Sequence, residues 1–364
     1  MATLNGVSYS KKELLRYVGD VSQIARVKPY RLIEGLEDNL AAIDVSTGSG
    51  LSFTILPSRG MDISTAQYQG RSLSWRSATT DVHPSYFDHE GEGGRGWLRS
   101  FYGGLVVTCG LSYAGANGMD MGSAYGLHGR ISNLPAYNVS YQSGWKEDDY
   151  YLAVTGKVRE ATVFGESLEL TRTISTFLGS RTIHLHDRVE NLGTKKSEHM
   201  ILYHINLGFP VVSGSSRLIS PTLKAEPRDN DAELDKERYN LFDDPISGYK
   251  EKVYFHTFPE SRQVTVSLVN PALKIDGNMG FGVSCSYQPD QLPRFSEWKM
   301  MEAGTYVVGL EPANCLVRGR ASEREAGTLQ FLETGEVRDY EIDLSVVCGA
   351  DEINKLDVAA RHGS

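Results

Sequence analysis

Apolar positions along this chain recur at every second residue far more often than at helical spacing. The segments "LSFTILPSRGMDI" (51–63), "LVVTCGL" (105–111) and "YYLAVTGKVRE" (150–160) are rich in β-branched residues or alternate apolar with polar positions, as half-buried strands do. "QVTVSLVNP" (263–271), "GFGVSCSYQ" (280–288), "TYVVGLEPAN" (305–314) and "TLQFLETGEVRDYEIDLSVV" (328–347) read the same way. The stretch "SLELTRTISTFLGSRTIHLHDRVENLG" (167–193) predicts a long hairpin turning at Leu178, Gly179 and Ser180. Helical signals are few. "SKKELLRYVG" (10–19) predicts a short helix capped by Ser10, with Leu14, Leu15 and Val18 facing inward and Gly19 ending it. "ADEINKLDVAA" (350–360) predicts a second one. Many long strands without intervening helices predict an all-β fold, a large antiparallel β-sandwich or barrel.

Two long stretches break the strand pattern. Residues 225–250, "AEPRDNDAELDKERYNLFDDPISGYK", are polar and acidic and predict a surface excursion. Residues 79–100, "TTDVHPSYFDHEGEGGRGWLRS", set aromatics among glycines in a loop long enough to serve a site. Neither has the composition of an interdomain linker. One domain over residues 1–364 is therefore expected, with a helix near residues 10–19 and a short C-terminal tail.

The net charge of −9 argues against a general affinity for nucleic acid or an anionic membrane. It leaves room for a small acidic substrate, because a pocket can be locally basic. The N-terminus has no apolar core of signal-peptide length, and no segment approaches the roughly 20 apolar residues of a membrane span. Cys109, Cys285, Cys315 and Cys348 are far apart and make no metal-type or redox-type pair. They read as small buried hydrophobes in a reducing compartment, and a cytoplasmic location is expected. Homo-oligomerisation stays open.

Three stretches place ionisable groups where strands should be apolar or turns bland: "YGLHGRISNLPA" (125–136), "LYHINLGFP" (202–210) and "VVGLEPANCLVRGR" (307–320). In the second, Leu202, His204 and Asn206 share one face of a strand, and a polar pair there is either a satisfied core pair or a site. In the third, Glu311 ends an apolar run at a proline.

With these stretches the sequence resembles the aldose 1-epimerase, or galactose mutarotase-like, superfamily, in its divergent bacterial branch. The likeness spans about Leu51 to Val347 in organisation, and the three stretches carry it at residue level. His128 in "GLHGR" takes the place of the family's "LHG" histidine, and His204 in "HINL" that of the histidine acid. Glu311 in "LEPAN" takes that of the glutamate base, in the family's order His, His, Glu. The resemblance implies a β-sandwich of the mutarotase type, a carbohydrate substrate, and no cofactor or metal. The Asn and Arg that precede the first histidine in well-studied mutarotases have no counterpart here. Arginines near the stretches, Arg59, Arg130, Arg318 and Arg320, suggest instead an acidic or phosphorylated sugar, since a guanidinium suits such groups.

The chemistry stands on its own terms. Exchanging α and β anomers needs one base for the C1 hydroxyl proton and one acid for the ring oxygen. A carboxylate and an imidazole suit both roles near neutrality. Glu311 is expected as base, His204 as acid and His128 as a donor to the sugar. Arg59, Asp62, Arg130, Asn206, Trp298, Lys299 and Arg318 are candidate sugar contacts, with Trp298 a stacking plate. Each has a plainer reading: Arg59 could pair with Asp62 across its turn, Trp298 could be core, and the other arginines could be solvated. His184 and His186 alternate like a metal pair, but Ile183 and Leu185 between them argue for the wet side of a half-buried strand. "GEGGRG" (91–96) lacks the Lys-Ser/Thr and the strand–helix setting of a phosphate loop. No nucleophile-elbow motif supports a hydrolase. An isomerase or β-eliminating lyase with the same Glu and His, and a non-catalytic sugar-binding protein, remain as alternatives.

Overall fold

A computed structural model describes residues 1–4, 6–275 and 277–362, so the last two residues of the expected C-terminal tail lie outside the described residues. Three antiparallel sheets dominate. The first has seven strands, ordered Val107–Leu111, Ser197–Gly208, Thr305–Ala313, Arg294–Glu302, Lys252–Thr257 and Lys224–Pro227, with Gln330–Leu332 also pairing with Ser197–Gly208. The second has eight, ordered Tyr137–Lys146, Asp149–Ala161, Ser167–Phe177, Thr182–Asn191, Val337–Cys348, Asn278–Tyr287, Val264–Ile275 and Arg217–Ile219. The third has five, from Arg26–Arg31 to Arg71–Ser72, and a two-way backbone bridge between Ile63 and Val106 joins it to the first.

The main core lies between these layers. It takes Tyr203, Ile205 and Leu310 from the seven-stranded sheet, Leu170, Val189 and Ile342 from the eight-stranded sheet, and Phe53 and Ile55 from the third. Two inner faces interdigitating in this way make a β-sandwich, the expected fold class. The expected hairpin is present, with Ser167–Phe177 and Thr182–Asn191 in the register Ser175 opposite His184.

A second, smaller core covers the outer face of the seven-stranded sheet. Trp97, Phe101 and Tyr102, from the end of the 79–100 loop, pack there on Val107, Cys109, Leu202, Ala313 and Cys315. Ser197–Gly208 is therefore buried on both faces, which explains why its sequence is apolar almost throughout rather than alternating.

The layers are also joined by a buried ionic group. Arg172 donates to Asp62 Oδ1 at 2.7 Å and to Asp187 Oδ2 at 2.6 Å, and all three side chains are fully buried. Thr108 and Tyr203 hydroxyls complete it, the first bonded to Asp62 and the second to Asp187. Each of the three sheets supplies at least one member. Burial pushes Asp62 up to about 6, with Arg172 and the Thr108 hydrogen bonds opposing.

The first helix is shorter than its sequence suggests. Ser10 and Glu13 form the capping box, but only Lys11–Leu14 is α-helical. Beyond it the backbone bonds tighten to the i−3 carbonyl, Arg16 to Glu13 and Tyr17 to Leu14, and Leu15, expected to face inward, is 44% exposed. Leu14 and Val18 are buried as expected. The C-terminal helix, Ala350–Arg361, sets Ile353 against Ile219, Val269 and Val347. No helix among the described residues is long and apolar enough to cross a membrane.

Candidate active site

The outer face of the seven-stranded sheet carries a cavity of about 470 Å³ whose lining includes His204, Glu311, His128, Trp97, Phe101 and Trp298. Strand register brings the first two together. Leu202 pairs with Ala313 and Ile205 with Leu310, which sets His204 directly opposite Glu311 on the same face. His204 Nε2 lies 3.3 Å from Glu311 Oε1, with both side chains almost fully buried. Ser296 pairs with Glu311 and Trp298 with Gly309, so Trp298 shares the cavity face one strand further on. A Cβ at Gly309 would stand 2.9 Å from Glu311 Oε1 and 3.0 Å from the Trp298 Cβ; the bare backbone there makes room for the carboxylate.

His128 arrives from a loop. It has φ +58°, and its backbone is fixed by His128 N to Gly115 O at 2.8 Å and Gly110 N to His128 O at 3.2 Å. The next residue, Gly129, has φ +74° and lies so close to the chain that a Cβ would stand 2.2 Å from Tyr113 O. The His128 ring lies 4.7 Å from Trp97 and 5.7 Å from His204, centroid to centroid. Phe101 and Trp298 meet the His204 ring edge-on at 5.1 and 5.3 Å. The histidines thus sit in an aromatic enclosure.

Burial sets the charges. It pushes Glu311 up to about 8, with the Glu251 carboxylate adding to the effect and Arg228 opposing it. It lowers His204 to about 4, the neighbouring Asn206 amide opposing. His128 falls to about 3 through burial and the proximity of His204. At neutral pH Glu311 is therefore protonated and both imidazoles are neutral. Nδ1 of both histidines is buried without a hydrogen-bond partner.

The other residues singled out from sequence have different surroundings. Asn206 is buried on the cavity face, but its amide nitrogen donates to the carbonyls of His204 at 2.9 Å and Gly103 at 3.4 Å. Trp298 lines the cavity and donates Nε1 to Glu251 Oε2 at 2.9 Å. Lys299, adjacent to it, points to the opposite face of the strand by the two-residue alternation, where its ammonium meets Asp235 at 2.8 Å and the Arg238 carbonyl.

Arg59 lies inside the fold, donating to the carbonyls of Ser132, Val82 and Ser100 at 2.7, 2.6 and 2.9 Å, which ties together the segments that wall the cavity. Asp62 belongs to the Arg172 group and faces the interior. Arg130 and Arg318 are exposed outside the cavity lining, the latter over the Phe255 ring at 5.2 Å. Arg320 is buried on Asp120 at 2.7 Å. His184 and His186 each pair with an aspartate across the strand, Asp343 and Asp339, and no metal-type cluster is found among the described residues.

Sequence reasoning missed Arg95, Arg228 and Glu251 on the cavity wall. Glu251 accepts from Arg228 at 2.9 Å as well as from Trp298, and Arg228 also bonds Asp229 at 2.7 Å. All three come from the two stretches that broke the strand pattern or from their edges. Their lengths marked them as candidates, while no spacing within them singled out a residue.

The profile of a family described as a domain of unknown function, DUF4432, matches residues 37–346. No curated protein matches the sequence. Among solved structures, a provisionally assigned aldose 1-epimerase from Klebsiella pneumoniae is similar with a TM-score of 0.87 and 23% identity, over 93% of this chain and 87% of that one. A galactose mutarotase-like protein from Clostridium acetobutylicum has a TM-score of 0.61 at 13% identity, over 90% and 99%. A galactose 1-epimerase from Lactobacillus acidophilus has 0.55 at 11%, over 89% and 99%. At these identities the likeness is one of fold.

Proposed function

We propose that this chain, which belongs to the DUF4432 family, is an aldose 1-epimerase-like enzyme that exchanges the anomers of a free sugar. The observation that carries the reading is the contact of His204 with Glu311, at 3.3 Å on the floor of a cavity of about 470 Å³. A cavity of that size is in the range of small-molecule sites. The fold of its structural neighbours supports the same reading.

The pair holds one proton between its members, which is what the reaction consumes and returns. In the reactive form Glu311 is the carboxylate and His204 the imidazolium. Glu311 removes the C1 hydroxyl proton while His204 gives its proton to the ring oxygen, and the C1–O5 bond breaks. The resulting aldehyde turns about C1–C2. His204 then takes the proton back from the C5 hydroxyl as it closes on the other face, and Glu311 returns its own to the carbonyl oxygen. The shared proton rests on Glu311; a bound sugar whose C1 hydroxyl donates a hydrogen bond to that carboxylate favours its transfer to His204. His128 is placed to donate to the ring oxygen or an adjacent hydroxyl. Trp298 offers a flat apolar face to the ring. The main core runs through all three sheets, which supports one domain as the working unit.

Anomer exchange followed by NMR or polarimetry on freshly dissolved sugars tests the reading. Glu311→Gln and His204→Asn are each expected to lower turnover by about 10²–10⁴-fold, the usual contribution of a positioned acid or base. Formation of any product other than the opposite anomer would move the assignment to a lyase or an isomerase. Tight sugar binding without turnover would move it to a sensor.

A further inference from the structure

The arginines around the site differ in what already occupies them. Arg59 is fully used by three backbone carbonyls. Arg320 is bound to Asp120 and to the Ser112 carbonyl. Arg228 reaches the cavity, but Glu251 and Asp229 neutralise it there. Arg95 alone lines the cavity with a guanidinium that meets no carboxylate, carbonyl or ring among the described residues.

Its backbone is also firmly placed. The two residues before it, Gly93 and Gly94, are held by Asn117 Nδ2 to Gly93 O at 2.9 Å and Leu127 N to Gly94 O at 2.8 Å. Leu127 immediately precedes His128. Two residues after Arg95, Trp97 is 3% exposed and packs on the His128 ring at 4.7 Å. Both flanks of Arg95 are thus tied to the segment that carries a proposed catalytic histidine. In a chain of net charge −9, this is an uncompensated cation on the wall of a reactive cavity.

Resting on the epimerase reading above, we propose that the sugar carries an anionic group, and that Arg95 recognises it. A carboxylate, a sulfonate and a phosphate share the required chemistry, a planar array of oxygens that a guanidinium can meet with two hydrogen bonds. The group lies away from the reacting carbon, since Arg95 stands on the loop side of the cavity while Glu311 and His204 form the sheet floor. The anion replaces a counter-charge that the protein does not supply, so a neutral sugar leaves Arg95 hydrated and contributes nothing at this position.

The test compares kcat/KM for anomer exchange of glucose and galactose with that of glucuronate, galacturonate, glucose 6-phosphate and a 6-sulfonated hexose. At least one anionic arm is expected to exceed its neutral parent about tenfold or more, and the best arm identifies the anion. Arg95→Ala is expected to shrink that anionic-to-neutral ratio at least about tenfold, mainly through KM, and Arg95→Lys to retain part of it. Equal rates on neutral and anionic sugars, or a ratio that Arg95→Ala leaves intact, overturn the proposal. Calorimetric binding of the same sugars to the wild type and to Arg95→Ala provides a second readout. Absence of exchange on every sugar defeats the epimerase reading, while selective binding of an anionic sugar lost in Arg95→Ala still upholds the anion site. Binding of neither class, or of both equally, sinks it.

Discussion

Glu311 and His204 are shifted in opposite directions by one cause, and the pair therefore holds a single proton across a wide pH range. Burial raises the carboxyl to about 8 and lowers the imidazole to about 4. Because the two are in contact, the limits belong to the pair rather than to either residue. If catalysis needs one proton on the pair, kcat/KM should be flat between roughly pH 5 and 7. It should fall above about 8 as that proton leaves, and fall near 4 as a second one arrives; a rise through pH 8 to 9 would contradict the scheme. The same shift has a cost in stability. Between 4.5, the carboxyl's ordinary value, and about 8 the folded protein keeps a proton that the unfolded chain has released. Glu311 thus costs progressively more as pH rises through this window, on the order of a few kcal/mol by its upper end. Glu311→Gln removes the ionisable group, so denaturant melts should show it more stable than the wild type at pH 8 and much less different at pH 4.5. His204, Glu311 and His128 were legible because their order and short flanking motifs match a known arrangement. Arg59 and Asp62 were not. Sequence shows that a charged side chain sits in a strand or turn, but not whether carbonyls such as those of Ser132, Val82 and Ser100 will converge on it.

The strand Thr305–Ala313 shows how one element assembles the site. Its apolar residues Val308 and Leu310 enter the main core, and Gly309 and Glu311 alternate onto the cavity face. Gly309→Ala should keep the strand but push a methyl group against the Glu311 carboxylate and the Trp298 Cβ, at 2.9 and 3.0 Å. The expected result is a loss of turnover of tenfold or more, with thermal stability lowered by about 1–3 kcal/mol, the usual cost of overpacking. Turnover within twofold of wild type would show that the carboxylate has room to move. Alternation also explains an expectation that did not carry through. Trp298 and Lys299 are neighbours in sequence, so only one of them can face the cavity, and nothing local says which. Most strands and the long hairpin could be read from period-two patterning. Ser197–Gly208 could not be assigned a wet face, because the 79–100 loop covers the side that alternation would leave to solvent.

Across the whole molecule, the Asp62–Arg172–Asp187 group, with the Thr108 and Tyr203 hydroxyls bonded to it, joins three sheets in the dry interior. Arg172→Met removes the only cation of that group and strands two buried carboxylates. It should cost about 3–5 kcal/mol in equilibrium unfolding, whereas replacing Arg172, Asp62 and Asp187 together by apolar residues of similar size should recover much of the loss. A triple variant no better than Arg172→Met would show that the group fixes the arrangement of the sheets rather than merely satisfying its own charges. The long hairpin sets Arg172 opposite Asp187, but that Asp62 meets the same guanidinium was not visible in sequence, since it becomes a partner only when the layers stack. The arrangement of aromatics at the cavity has a practical consequence. Of the four tryptophans, Trp75, Trp97 and Trp298 line the cavity, while Trp145 lies on the edge strand Tyr137–Lys146 of the other sheet, against Tyr150. The intrinsic fluorescence of the protein is therefore dominated by its candidate site. Sugar binding should change emission intensity without any added dye, and Trp145→Phe should leave that ligand-dependent change in place. Acidification through about pH 4 should quench the signal as imidazolium forms beside Trp97 and Trp298.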